Sequence, residues 1–427
     1  MKNTSVLTSR EKLQLALEHR PGPIPLDLGA TAVTGIHVSC LAALRKHFGL
    51  PEEPVKVHDP YQMLGWPEDD ILNALNVDIA GVSSPWTMFG YENKDWKPWK
   101  TPWGQNVLVG EGFQVDENDD YILIYPEGDR TVPPSGQMPR SGYFFDTMIR
   151  QPPLDMENLN VEDNFEEFAL ISESILADLK RQVASAKASG RGIIANISGT
   201  AFGDVAIVPA PFLKHPKGIR DIAEWYMATA SNQPYVHKIF TQQLKIALVN
   251  LEKIHAVLGN DIDAVNLCGT DFGTQSSTFC SQKTFRNLWL PYYKELNDWI
   301  HTHTKWKTFK HSCGAIAGFL PLFIESGFDI INPVQCSAVG MDARKIKDAF
   351  GEKLVFWGGG IDTQHTLPFG TPEQVREQVL QRCEIFSHHG GFVFNTVHNI
   401  QAKTPPQNIV AMFDALHEFN ATHKMDS

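Results

Sequence analysis

No run of about 18 consecutive apolar residues occurs anywhere in the 427-residue chain, which excludes a hydrophobic membrane-spanning helix. The first ten residues, MKNTSVLTSR, have no apolar stretch, so no secretory signal is expected there. Cysteine is scarce: six residues (Cys40, Cys268, Cys280, Cys313, Cys336 and Cys383) lie scattered without framework spacing, which argues against a disulfide scaffold. Each reads first as a small buried hydrophobe and second as a metal ligand. Basic residues are outnumbered, 37 Lys+Arg against 49 Asp+Glu for a formal charge of −12, which argues against a dedicated nucleic-acid binder. Internal repeats and low-complexity tracts are also missing. What is present is 42% hydrophobic and 20% charged residues, enough for a large core and incompatible with wholesale disorder. The expectation is a soluble, cytoplasmic protein acting on a small molecule, with no nucleic-acid or membrane partner.

Eight short apolar segments read as buried strands: 24–30, 77–83, 193–200, 264–271, 306–313, 328–335, 354–362 and 392–399. Helical periods separate most of them. Residues 235–257 place Ile239, Leu244, Leu248, Leu251 and Ile254 on one stripe, and 164–188 reads as a long amphipathic helix. Thr8 to Glu11 has capping-box form, and Thr371-Pro-Glu-Gln starts another helix with Pro at its first position. Buried strands alternating with helices predict an α/β fold, a (β/α)8 TIM barrel. Residues 89–153, with Trp96, Trp99, Trp103 and many Gly and Pro, read as a hairpin-rich insertion after the second strand. Residues 199–220 read as a Gly/Pro-rich excursion after the third. Both leave from strand C-terminal ends, where they serve the active face or act as surface decoration or a homodimer contact.

Polar residues gather at those ends. Asp27 lies in the first segment, Ser198 near the end of the third, Asp271 at the end of the fourth, and His311 and Cys313 in the fifth. Gln335 and Cys336 close the sixth, Asp362 the seventh, and His398 lies near the end of the eighth. Barrel enzymes draw catalytic groups from the ends of several strands. In Lys310-His-Ser-Cys-Gly314, His311 and Cys313 share one side of an extended strand. An imidazole nitrogen and a thiolate together suit zinc, with Cys336, Asp271 or His398 as the third ligand. The alternative is a buried histidine beside a packed cysteine. Asp271 reads as a catalytic residue or a helix cap, and Gln335, Asp27 and Ser198 as substrate-binding residues.

These motifs resemble the uroporphyrinogen decarboxylase superfamily, specifically its zinc-dependent, corrinoid-linked methyltransferase branch. The likeness is strongest over 306–416. It includes the H-x-C pair, the glycine-rich end Gly358-Gly-Gly-Ile-Asp362, the helix start Gly370-Thr-Pro-Glu373, and Lys403-Thr-Pro405. The branch's third ligand, a cysteine shortly before K-T-P, falls at His398 here. The resemblance implies one barrel domain over 1–427, zinc held by His311, Cys313 and His398, and a corrinoid carried by a partner protein. The chain has no D-x-H-x-x-G corrinoid segment of its own. It also lacks the decarboxylase branch's arginine-containing loop, reading Leu26-Asp-Leu-Gly-Ala-Thr31 in that place. A zinc-dependent hydrolase or lyase, or a metal-free decarboxylase-like enzyme, are the alternatives.

Overall fold

Seven of the eight apolar segments enter one parallel sheet in the computed structural model, which describes residues 7–422 apart from 156, 166 and 167. Its strands are β1 (Ile79–Ser83), β2 (Gly192–Asn196), β3 (Ala264–Cys268), β4 (Lys307–His311), β5 (Ile330–Asn332), β6 (Val355–Trp357) and β7 (Phe392–Val393). Each pairs in parallel with the next in chain order, as right-handed βαβ units require.

The first segment, 24–30, forms no full strand but closes the ring. Leu26 bridges Phe394 in parallel, and Phe394 N donates to Pro25 O at 2.8 Å. On the other side Asp78 N donates to Leu26 O at 2.8 Å, and the Asp78 carboxylate accepts from Leu26 N at 3.0 Å. Pro25 has no N–H for a ladder, and Gly29 turns the chain at φ +84°, so pairing is confined to a few atoms. The architecture is a TIM-barrel-like α/β fold.

Strand alternation sorts the side chains. Ile79, Ile194, Ala264, Phe309, Ile330, Val355, Trp357 and Val393 fill the barrel interior as one buried cluster. Their neighbours Ile193, Val265, Ile331, Phe356 and Phe392 join the larger core under the helices. The helix Gln233–Leu258 buries Ile239, Leu244, Leu251 and Ile254 there. Pro372–Ser387 begins with a Thr371–Gln374 capping box, and Ser9–Leu17 with a Thr8–Glu11 one.

Two expectations need correction. The helix read over 164–188 begins at Glu173, capped by Ser172, after a separate 3-10 turn Val161–Asn164. Asn164 is buried and its side chain bonds both backbone groups of Ile219, which ties it to that segment and away from the helix that starts at Glu173. The inserted hairpins are present, but their first sheet also recruits earlier chain. Val55–Asp59 pairs with Leu64–Gly65 and, in parallel, with Asn106–Val109, which in turn pairs with Lys97–Lys100. A second antiparallel sheet holds Val115–Glu117, Tyr121–Ile124, Gly136–Pro139 and Asp146–Thr147. Trp103 stacks on Tyr143 and Trp99 packs on Phe113, so both serve the insertion's own packing. No described helix is long and apolar enough to cross a membrane.

Candidate metal centre

The inward face that carries Phe309 runs on to His311, the last residue of β4, and beyond the strand to Cys313. Gly314, at φ +89°, then turns the chain away; a Cβ there would lie 2.4 Å from the backbone of Gly273, so the two loops meet through glycine. Cys313 Sγ lies 3.3 Å from His311 Nε2. His398 arrives from the loop after β7 with its ring 5.6 Å from that of His311, near edge-on. One ligand atom from each of His311, Cys313 and His398 falls within 4.8 Å of the others. The described residues thus bring together at the barrel mouth the three side chains expected to ligate.

Local partners prepare the group for a cation. His311 Nδ1 bonds Asn332 Oδ1 at 2.6 Å, and Asn332 Nδ2 donates to Trp357 O at 2.8 Å, which leaves His311 Nε2 facing the site. Neither ring nitrogen of His398 has a hydrogen-bond partner among the described residues. Burial lowers both histidines to about 4, the charge of neighbouring Lys310 adding to the effect at His311 and His311 itself adding to it at His398, so both imidazoles are neutral at pH 7. Burial and the Asp271 carboxylate push the Cys313 thiol well above its usual value. Two neutral imidazoles offer nitrogen lone pairs, and a cation bound beside them would draw off the Cys313 thiol proton. A tetrahedral zinc holds its N and S ligands roughly 3.3–3.6 Å apart; the Cys313–His311 pair stands at 3.3 Å, and the group with His398 is somewhat wider, within 4.8 Å. The donor set fits zinc.

Asp271 lies beside the group. Its Oδ1 accepts from Cys313 N at 2.7 Å and is 3.7 Å from His311 Nε2; burial raises its pKa. A second carboxylate, Asp204 in the 199–220 excursion, had no sequence signal. Its Oδ1 accepts from Ala206 N at 3.0 Å, Oδ2 lies 2.6 Å from where a Cβ on Gly269 would be, and burial with the Asp271 charge raises it to about 6. Asn332 was also missed, because the strand was read as ending at Gln335 and Cys336 while β5 ends at Asn332. Its register pairing with His311 is the signal that would have found it.

The other expected residues lie elsewhere around the barrel. Gln335 Oε1 accepts from Gly314 N at 2.8 Å, so it holds the turn behind Cys313. The Cys336 thiol bonds back to Val334 O at 3.5 Å and is not in the ligand group. Asp27 is buried in the interior, accepting from Trp357 Nε1 at 2.8 Å and Ala30 N at 3.1 Å. Ser198 is exposed in the turn after β2. Asp362 accepts from the backbone of Gln364 and pairs with His365.

Residues 216–419 match the family model described as uroporphyrinogen decarboxylase (URO-D). A uroporphyrinogen decarboxylase of Pseudoalteromonas translucida (strain TAC 125) is 32% identical over 109 residues, 24% of this chain and 30% of that protein. Another, from Pseudoalteromonas atlantica (strain T6c / ATCC BAA-1087), is 23% identical over 218 residues, 47% of this chain and 58% of that protein. The chain therefore spans between about a third and just over half the length of these relatives. A solved methyltransferase from Methanosarcina mazei aligns over 97% of this chain and 99% of that one, with a TM-score of 0.54 and 13% identity. At that identity the likeness is one of fold.

Proposed function

We propose that this member of the uroporphyrinogen decarboxylase superfamily is a zinc-dependent methyltransferase that works with a corrinoid-carrying partner protein. The observation that carries the reading is the His311–Cys313–His398 group, three ligand atoms within 4.8 Å at the mouth of the barrel. Three protein ligands with a free fourth position are the pattern of a catalytic rather than a structural zinc. Zinc bound there would lower the pKa of an acceptor thiol or draw electron density from a methyl-ether oxygen.

The chain's own residues supply the rest. His311 and His398 offer neutral nitrogens, Asn332 fixes the His311 ring, and Cys313 gives up its thiol proton as the cation enters. Asp271, within hydrogen-bond reach of the same loop, orients the substrate or holds a proton during transfer. One thiolate with two neutral imidazoles leaves the centre one unit more positive than two thiolates would. That favours activation of an oxygen over enhancement of a thiolate, hence demethylation of a small methyl ether: the CH3–O bond would break, the methyl group pass to the partner's reduced cobalt, and the oxygen take up a proton and leave as an alcohol. Gln335 holds the Gly314 turn behind Cys313, and a substrate-binding role for Asp27 and Ser198 remains part of the proposal.

The test combines metal analysis with turnover. The purified protein should hold one zinc per chain and demethylate a methyl ether only when a reduced corrinoid protein is present. Cys313→Ala should lose both zinc and turnover. Turnover of substrate without any corrinoid protein would instead establish the zinc hydrolase or lyase.

A further inference from the structure

Lys310 sits between two residues that face the metal group's side of β4, and alternation turns it the other way. Its side chain enters the layer between barrel and helices, where it is fully buried. The ammonium lies 5.1 Å from the ring centre of Phe272, 5.5 Å from that of Phe323 and 5.9 Å from that of Tyr293. No ion pair to it is formed among the described residues. A methionine would fill this aromatic box without the cost of burying a charge. What the ammonium adds is directed: Nζ donates to Thr270 O and to His311 O, each at 2.5 Å.

Those carbonyls belong to two different strand ends, and the place where they are tied is irregular. Asn266 pairs with Phe309 but Cys268 with Lys310, so β3 takes one extra residue and the ladder is broken just before the mouth. The carbonyl of the extra residue, Leu267, is met by Thr200 Oγ1. Beyond the break, the spacing between the Asp271 loop and the His311–Cys313 end rests on side-chain ties. Ser312 Oγ accepts from Phe272 N at 2.9 Å, Asp271 Oδ1 accepts from Cys313 N at 2.7 Å, and Lys310 bridges the backbone of both segments.

We infer that Lys310 is a positioning residue: its buried ammonium, bonded to Thr270 O and His311 O from behind the barrel wall, replaces the broken ladder and fixes Asp271 against His311 and Cys313. The same charge favours the anionic forms of Asp271, Asp204 and Cys313, consistent with that placement. The inference rests on the zinc reading only where a metal serves as the probe.

The probe is cobalt(II), whose thiolate charge-transfer and d–d bands report ligand geometry. Lys310→Met should still bind one cobalt per chain, with an altered d–d envelope and release to a chelator at least tenfold faster. Lys310→Arg, which keeps donors, should recover part of the release rate. Phe323→Leu, which loosens the same aromatic box and leaves the donors, should match wild type. In metal-free wild type, a slowly exchanging 15N-ammonium signal should appear that is missing from Lys310→Arg. Spectra and release rates of Lys310→Met that match wild type would overturn the inference. So would the absence of that ammonium signal, a measurement that decides the matter even if Lys310→Met fails to fold. If wild type takes up no cobalt, the zinc reading fails, and the ammonium signal alone decides the role of Lys310.

Discussion

On β4, Phe309 and His311 point the same way, two residues apart, and meet different surroundings. Phe309 lies in the interior layer, edge-on to Trp357 at 5.4 Å, among aliphatic side chains from six other strands. His311 lies one step nearer the mouth, where its neighbours are Asn332, Cys313 and Asp271. The backbone rule is the same in both places; what changes is whether the ladder continues. Below, regular pairing lets apolar side chains interlock and exclude water. At His311, paired with Asn332 as the last rung between β4 and β5, the ladder gives out, and the polar groups beyond it are held by loops and side-chain bonds.

The comparison predicts that the two layers fail separately. Phe309→Ala removes a fully buried ring from the interior and should cost about 3–5 kcal/mol of stability in denaturant unfolding. It should leave zinc stoichiometry at saturating metal unchanged. A loss of metal in this variant would show that the layers are one unit. Asn332→Ala acts chiefly at the mouth, although it also takes the donor from Trp357 O, a cost of about 1–3 kcal/mol. It frees the His311 ring and should weaken zinc by roughly 10–100-fold in a competition titration, with the unfolding midpoint changed much less.

The metal's pH dependence sharpens the contrast. With His311 and His398 at about 4, neither competes with protons near neutrality, whereas the Cys313 thiol, pushed up by burial, must release one proton. Zinc affinity should therefore rise about tenfold per pH unit between pH 6 and 8, measured with a competing chelator. The interior behaves in the opposite sense. Burial raises Asp27 to about 6, so its contribution to stability is full below the unfolded-state value near 4 and is lost as pH rises through 6. Asp27→Asn keeps an acceptor for Trp357 Nε1 and should flatten that part of the stability–pH curve by about 1–3 kcal/mol.

The interior was the more legible layer. Runs such as 328–335 and 354–362 announce buried strands because the inward positions below the mouth, Ile330, Val355 and Trp357, are apolar, although the strands proper are only three residues each, β5 and β6. Segment 24–30 looked like the others by composition, and Pro25 was the sign that it would close the ring through isolated bonds. At the mouth, His311 and Cys313 were legible because two residues on one strand keep their spacing. His398 came through resemblance, since it sits on a loop whose path no periodicity fixes. Asp204 gave no signal at all: it is an acidic residue in a turn-rich excursion, and only the folded chain brings it against Gly269. Lys310 read as part of a motif, but its outward turn into an aromatic box depends on helices from elsewhere in the chain.

In the proposed centre His398, and not Cys336, completes the ligand set with His311 and Cys313. Zinc content of the purified wild type, His398→Ala and Cys336→Ala tests it directly. One zinc per chain is expected in wild type and in Cys336→Ala, and little or none in His398→Ala. Zinc lost from Cys336→Ala and kept by His398→Ala would contradict it.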